Sequence, residues 1–167
     1  DIGANRGQFA LAAWRALPRA TIHSFEPLAK PAAALEKLFS GESRVNLHRC
    51  AIGPSEGAHE MHVSNRDDSS SLLPIGEKQV EIFPGTGEID TQMVRVSPLS
   101  HELTSETLQG PTLLKIDVQG YEYEAIIGCV DLLKYVDAVN VECSLSELYV
   151  GQRLLSDVSA LLLDFDF

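Results

Sequence analysis

Asp1-Ile2-Gly3-Ala4-Asn5-Arg6-Gly7-Gln8 puts a carboxylate and two glycines into eight positions that open onto an apolar run with helical spacing. Those residue types suit a strand-to-helix turn that receives a ligand, because glycine has no Cβ to keep a bound molecule off the backbone. The run Ala20 to Phe25 then reads as a strand ending in Glu26, with Pro27 behind it. In dinucleotide-binding folds a carboxylate about 20 residues beyond the glycine turn accepts hydrogen bonds from ribose hydroxyls. Glu26 stands at that separation.

The turn lacks the spacing and the third glycine of GxGxxG, so a pyrophosphate cradle is not expected. Asp1 would repel phosphate and would suit an amino group or a sulfonium centre. A nucleoside site without phosphate emphasis points to S-adenosylmethionine and away from an NAD-dependent oxidoreductase of the same fold class. A nucleoside-binding module without catalysis stays open as a second alternative.

These residues need a scaffold, and the chain predicts one. Gly7 to Leu17 carries Phe9, Leu11, Trp14 and Leu17 near helical spacing and stops at Pro18; Leu28 to Phe39 reads as a second helix. Val45 to Ile52 and His59 to Ser64 read as strands around the turn Gly53-Pro54-Ser55-Glu56-Gly57. Periodicity fails from Asn65 to Thr91, predicting a long loop of the kind that serves as a lid or binding loop. Met93 to Val96 and Leu113 to Asp117 read as strands, Tyr121 to Leu133 as a helix, Ala138 to Cys143 as a buried strand, and Leu145 to Leu163 as largely helical. Alternating strands and helices predict an α/β fold with a parallel sheet. Asp1, Glu26, Asp117 and Glu142 would then all occupy carboxyl ends of strands, where such sheets bind ligands.

Composition narrows the rest. The chain has 167 residues and 44% hydrophobic content, enough for a single domain over 1–167 with its own core. Twenty-four acidic against 13 basic residues give a net charge of −11 without Lys or Arg clusters, which argues against a nucleic-acid partner. Cys50, Cys129 and Cys143 show no CxxC spacing and read as buried structural thiols. No segment approaches the roughly 20 apolar residues of a membrane span, and no signal peptide is visible, so a cytoplasmic setting is the default expectation. The start at Asp1, with no strand ahead of the turn, suggests truncation at the N-terminus; Phe165 and Phe167 suggest the same at the C-terminus. Leu161-Leu162-Leu163 packs either internally or against a second copy in a homo-oligomer.

His59 and His62, three apart in a strand, would face opposite sides and share no metal. His23 and His48 read as structural, and His101 as a surface residue. Lys115, among apolar residues, either pairs with a buried carboxylate or reaches solvent at its strand end.

Taken together, Asp1 to Gln8, Phe25-Glu26-Pro27, Ala51-Ile52-Gly53, Ser69-Ser70-Ser71, Leu114 to Glu122 and Val141-Glu142-Cys143 resemble the FkbM-type methyltransferases over nearly the whole chain. Lys115 to Glu122 is the strongest match. The resemblance implies a Rossmann-like, seven-strand class I methyltransferase fold, a mostly parallel sheet with helices on both faces, using S-adenosylmethionine. Its members methylate hydroxyls on sugars, polyketides and other metabolites, so a small-molecule or saccharide acceptor is implied without its identity.

By motif matching, Asp1, Gly3, Asn5 and Gly7 shape the methionine side of the cofactor pocket, with Ala4, Gln8 and Pro27 in the same cofactor-binding set. Glu26 holds the ribose, and Ala51 and Ile52 lie near the adenine. Ser70 contacts the cofactor or else belongs to a solvated loop. Asp117 is the candidate catalytic carboxylate, as base or orienter, and also touches the cofactor. Asp117, Glu122 and Glu142 would offer oxygen ligands to Mg²⁺, but capping roles compete and no metal site is assigned.

Overall fold

The computed structural model describes all residues, 1–167. Helix α1 spans Gln8–Ala16 and is followed by strand β1, Ile22–Phe25, then α2, Ala29–Leu38, and β2, Val45–His48. Next come β3, Ala51–Ile52, and β4, Gly57–Ser64. A 3₁₀ turn at Asp67–Ser69 leads to α3, Glu77–Ile82, and β5, Glu88–Ser97. The remainder is α4, Leu99–Glu102; β6, Leu113–Ile116; α5, Glu122–Ile127; α6, Val130–Leu133; β7, Ala138–Val141; and α7, Leu155–Leu163. No helix is long and apolar enough to cross a membrane.

The fold is α/β with parallel strand pairing, but its seven strands fall into three small sheets and not one seven-strand sheet. β1 pairs in parallel with β2, β6 in parallel with β7, and β5 lies between β3 and antiparallel β4. Ile2 accounts for the division: it bridges in parallel to Phe25 on one side and to Ile116 on the other. Its N–H donates to the Lys115 carbonyl at 2.9 Å, and its own carbonyl accepts from the Asp117 N–H at 3.1 Å. One residue thus fills the gap between the β1–β2 and β6–β7 pairs, and the glycine turn leaves from that point.

Two apolar clusters hold the arrangement. Ala10 of α1, Leu35 and Phe39 around α2, Ile22 and Ala4 form the smaller one. The larger joins Ile2, Phe25 and Ile116 to Ala125, Ile126 and Leu133 of α5 and α6 and to Val158 and Leu161 of α7. Each removes large aliphatic side chains from water, worth about 1.5–3 kcal/mol per fully buried residue. Leu161 packs internally, and Leu163 is exposed.

Several element expectations are corrected. The strand expected over Val45 to Ile52 breaks at Arg49–Cys50, and its two parts join different sheets. The segment Asn65 to Thr91 is no structureless loop; it holds the 3₁₀ turn, α3 and the first residues of β5. Those β5 residues, Glu88 to Gln92, are exposed and mostly polar and are fixed by the β4 ladder instead of by burial. The helix expected from Tyr121 to Leu133 divides at Gly128, where a Cβ would come within 2.5 Å of the Gly53 carbonyl oxygen. The stretch 145–154 is not helical; Tyr149 bridges to Ile75, and only α7 follows.

Candidate functional site

A cleft of about 320 Å³ opens over the carboxyl ends of β1 and β6. Gly3, Ala4, Asn5, Gln8, Glu26, Pro27, Ala51, Ile52, Ser70 and Asp117 all line it. Asp1 and Gly7 do not. Gly7 faces the Leu35 and Phe39 side chains and so governs how α1 meets α2, while Asp1 is buried behind the cleft against Lys115.

The floor is set by the turn. Gly3 has φ +76°, and a Cβ there would lie 1.8 Å from the Asp117 carbonyl oxygen, so only glycine lets the turn cross β6. Asn5 also adopts a left-handed backbone, φ +47°, which presents its N–H to Glu26 Oε2 at 2.9 Å. Glu26 Oε1 accepts from the Leu28 N–H at 2.8 Å. The carboxylate is therefore aimed by backbone on both oxygens and keeps lone pairs for further donors. Burial pushes its carboxyl up to about 7, against the opposing pull of those two N–H groups.

Lys115 resolves the question its sequence context raised. Its ammonium lies 3.2 Å from Asp1 Oδ1, 3.4 Å from Asp117 Oδ2 and 3.2 Å from the Gly3 carbonyl, to which it donates. It also sits 5.7 Å from the centre of the Phe9 ring. One cation therefore bridges the two strand-end carboxylates that flank the turn.

Asp117 is held from its other oxygen by Gln119, whose amide Nε2 donates to Oδ1 at 2.8 Å and reaches Glu142 Oε2 at 3.4 Å. Gln119 has φ +55°, uncommon for a residue with a side chain. Its Oε1 accepts from the Tyr149 hydroxyl at 3.1 Å, and the same hydroxyl lies 3.0 Å from the Ser69 carbonyl. Glu122 Oε1 accepts from the Val118 and Gly120 N–H groups and so pins the turn that carries Gln119. The Asp117 carboxyl beside it, with burial adding to the effect, pushes Glu142 up to about 7. Asp117 and Glu122 thus spend oxygens on Lys115, Gln119 and the backbone, and no group of three metal-ligating side chains converges.

The serine cluster is buried and bonded, not solvated: Ser70 Oγ accepts from the Ser64 N–H at 3.1 Å, and Ser71 pairs with His62 through the backbone. Arg6 of the glycine turn donates from Nε to Asp67 Oδ2 at 3.0 Å, tying the 3₁₀ turn to the rim of the cleft. His23 and His48 face each other at 3.0 Å, with His48 stacked on Phe25; burial and the His48 neighbour push His23 down to about 4.

Sequence reasoning did not single out Phe9, Leu28, Met61, Asp67, Asp68, Leu72, Val118, Gln119 or Tyr121 as cleft residues. Phe9 and Leu28 read as ordinary core positions. Asp67 and Asp68 lie in a segment whose 3₁₀ turn is fixed by long-range contacts. Val118, Gln119 and Tyr121 left a trace, inside the strongest motif, Lys115 to Glu122.

Comparison with known proteins adds an independent line. The whole chain, residues 1–167, matches the family described as the Methyltransferase FkbM domain. It is 29% identical over 177 residues to 2-O-methyltransferase NoeI of Sinorhizobium fredii (strain NBRC 101917 / NGR234), covering 99% of this chain and 71% of that protein. It is 28% identical over 187 residues to 31-O-demethyl-FK506 methyltransferase FkbM of Streptomyces tacrolimicus, covering 97% of this chain and 69% of that one. A solved methyltransferase FkbM from Methylobacillus flagellatus KT aligns with a TM-score of 0.49 at 15% identity, over 77% of this chain and 27% of that one.

Proposed function

The chain belongs to the FkbM methyltransferase family, and from that premise we propose that its cleft binds S-adenosylmethionine and that it methylates a hydroxyl group of a small molecule or saccharide. The observation that carries this reading is Glu26, a buried carboxylate fixed by two backbone N–H groups with lone pairs left over for a ribose. The cleft chemistry fits the rest of such a molecule. Phe25, Leu28, Ala51 and Ile52 offer an apolar wall for adenine, and Asp67, Asp68 and Asp117 offer negative charge toward cationic groups.

Bound there, S-adenosylmethionine supplies an electrophilic methyl group and leaves as a neutral thioether. The chain's contribution is position and charge. Asp117, held at Oδ1 by Gln119 and at Oδ2 by Lys115, orients the acceptor hydroxyl and takes up its proton on a carboxylate oxygen. Asn5, Gln8 and Ser70 line the walls, and the segment tied down by Arg6 and Asp67 keeps water from the reacting atoms. Asp1 and Gly7 act from behind: Asp1 through Lys115, Gly7 through helix packing. We take the fold to be the Rossmann-like class I sheet, with Ile2 as the strand between β1 and β6; the two parallel bridges of Ile2 support this.

Release of S-adenosylhomocysteine, followed over a panel of hydroxylated acceptors, tests the reading. Turnover that Asp117→Asn abolishes is expected. A protein that binds S-adenosylmethionine but turns over no acceptor is a silent binding module, and the catalytic part of the proposal falls.

A further inference from the structure

Tyr149 belongs to the irregular arm between β7 and α7 and lies outside the cleft, yet only 2% of it is exposed. The arm is fastened on both sides. The Leu148 carbonyl accepts from the Gly76 N–H at 2.9 Å, the Val150 N–H donates to the Pro74 carbonyl at 2.9 Å, and Gln152 Oε1 accepts from the Leu148 N–H at 2.9 Å. The Tyr149 ring is thereby set over the turn that follows β6. A Cβ on Gly120, φ +98°, would come within 2.9 Å of the Tyr149 Cβ, so the glycine of the strongest sequence motif makes room for this side chain.

The Tyr149 hydroxyl has one proton and two oxygens to give it to, the Ser69 carbonyl at 3.0 Å and Gln119 Oε1 at 3.1 Å. No other donor reaches Gln119 Oε1. Burial first, and then the carboxyl groups of Glu122 and Glu142, push this hydroxyl up, so it keeps its proton and stays a donor.

The Gln119 carboxamide has an amino end and a carbonyl end, and one assignment fits its neighbours. Its Nε2 faces groups that only accept, Asp117 Oδ1 at 2.8 Å and Glu142 Oε2 at 3.4 Å, while Oε1 faces the hydroxyl. Reversed, the carbonyl oxygen would point at two carboxyl groups. The backbone beneath is held as well: Gln119 is left-handed, φ +55°, and Glu122 Oε1 takes the N–H groups of Val118 and Gly120 on either side of it. A residue with a Cβ keeps such a conformation where its surroundings fix it, and that happens most at functional sites.

Resting on the methyltransferase reading of the cleft, we propose that Tyr149 is a positioning residue for methyl transfer: its hydroxyl anchors the carbonyl end of Gln119 so that the amino end stays on Asp117. Without that hydroxyl, Gln119 Oε1 and the Ser69 carbonyl both lose their donor. A buried carbonyl left unpaired is costly, so Gln119 turns toward water and Asp117 loses the contact that aims it. Tyr149 touches neither cofactor nor substrate and acts through Gln119.

A double-mutant cycle of Tyr149→Phe and Gln119→Ala tests this, with turnover read on the member of the hydroxylated panel that the wild type methylates fastest. Tyr149→Phe keeps the buried ring and removes one oxygen atom. It should lower kcat about tenfold, as loss of roughly one hydrogen bond would, with the KM for S-adenosylmethionine and the affinity for S-adenosylhomocysteine within about twofold of wild type. In the Gln119→Ala background the same change should lower kcat by less than about twofold. Side-chain ¹⁵N NMR adds a readout that needs no turnover: the Gln119 carboxamide signal, assigned by its loss in Gln119→Ala, should shift in Tyr149→Phe and exchange faster with solvent.

An unchanged kcat in Tyr149→Phe overturns the proposal, and so does an unmoved Gln119 signal. An equal loss of kcat in both backgrounds overturns it too, because Tyr149 would then act by packing and not through Gln119. A wild type that turns over no member of the panel removes the methyltransferase reading and the positioning role with it; the Gln119 signal separates that outcome from a Tyr149 contact that never forms.

Discussion

Lys115 Nζ lies 3.2 Å from Asp1 Oδ1, yet neither buried oxygen of Asp1 accepts a hydrogen bond. The contact is ionic: the ammonium donates to the Gly3 carbonyl and holds Asp1 and Asp117 by charge. Removing one partner of a buried pair strands the other charge. Lys115→Met is therefore expected to lose about 3 kcal/mol of stability in urea unfolding, and adding Asp1→Asn should restore part of it. A loss below about 1 kcal/mol, in the range of exposed pairs, would show that the cation is not needed to bury Asp1.

Affinity for the adenosyl group should depend on pH through Glu26. Its carboxyl is pushed up to about 7 by burial, and ribose hydroxyls donate more strongly to the ionised form. Binding thus favours the deprotonated carboxylate, so S-adenosylhomocysteine affinity rises as pH climbs to about 7 and levels off above it, weakening by up to about tenfold per pH unit below. Glu26→Gln should flatten the profile. A wild-type affinity independent of pH from 5.5 to 8.5, a range of roughly 1.5 units either side of that value, would contradict the assignment.

The titration of Glu142 should respond to the removal of Asp117. Glu142 is pushed up to about 7 chiefly by the Asp117 carboxyl beside it, with burial second. Asp117→Asn removes the neighbouring carboxyl that raises Glu142 by hydrogen bonding and by charge, and Glu142 should fall toward the ordinary range near about 4.3, followed by carboxyl ¹³C NMR. If Glu142 stays near its original value, burial alone sets it.

The cysteines offer a check on packing. Burial pushes the Cys50 and Cys129 thiols up to about 12, and both are inaccessible. Cys143 is only partly buried. A thiol reagent at pH 8 should modify at most Cys143 in the folded protein and all three after denaturation. Rapid labelling of Cys129 without denaturant would mean that α5 and α6 do not pack as described.

The cleft-facing parts of this fold were legible because their chemistry is local. Gly3, Asn5 and Glu26 lie within one strand–turn–helix–strand unit, and the residues that aim the Glu26 carboxylate are its own neighbours and the glycine turn. What escaped depends on contacts far along the chain. Exposed Glu88 to Gln92 carry no core-facing alternation and become strand only through β4. The glycine at the break, Gly128, is required by the close approach of Gly53, a residue 75 positions earlier. Buried Asp1 and exposed acidic residues look alike in sequence; Lys115 tells them apart only once Ile2 has brought the two strand ends together. The pairing of Gln119 with Tyr149 was hidden for the same reason, since the region before α7 reads as helix by composition and folds as an irregular arm over the site.

The most direct test is calorimetric titration with S-adenosylmethionine and S-adenosylhomocysteine, with NAD as control, on the wild type and on Glu26→Gln. Both adenosyl compounds should bind, NAD should not, and the variant should bind at least about tenfold more weakly, the loss of roughly one charge-assisted hydrogen bond. Binding of NAD in place of the adenosyl compounds, or affinity that ignores Glu26, would contradict the account at its centre.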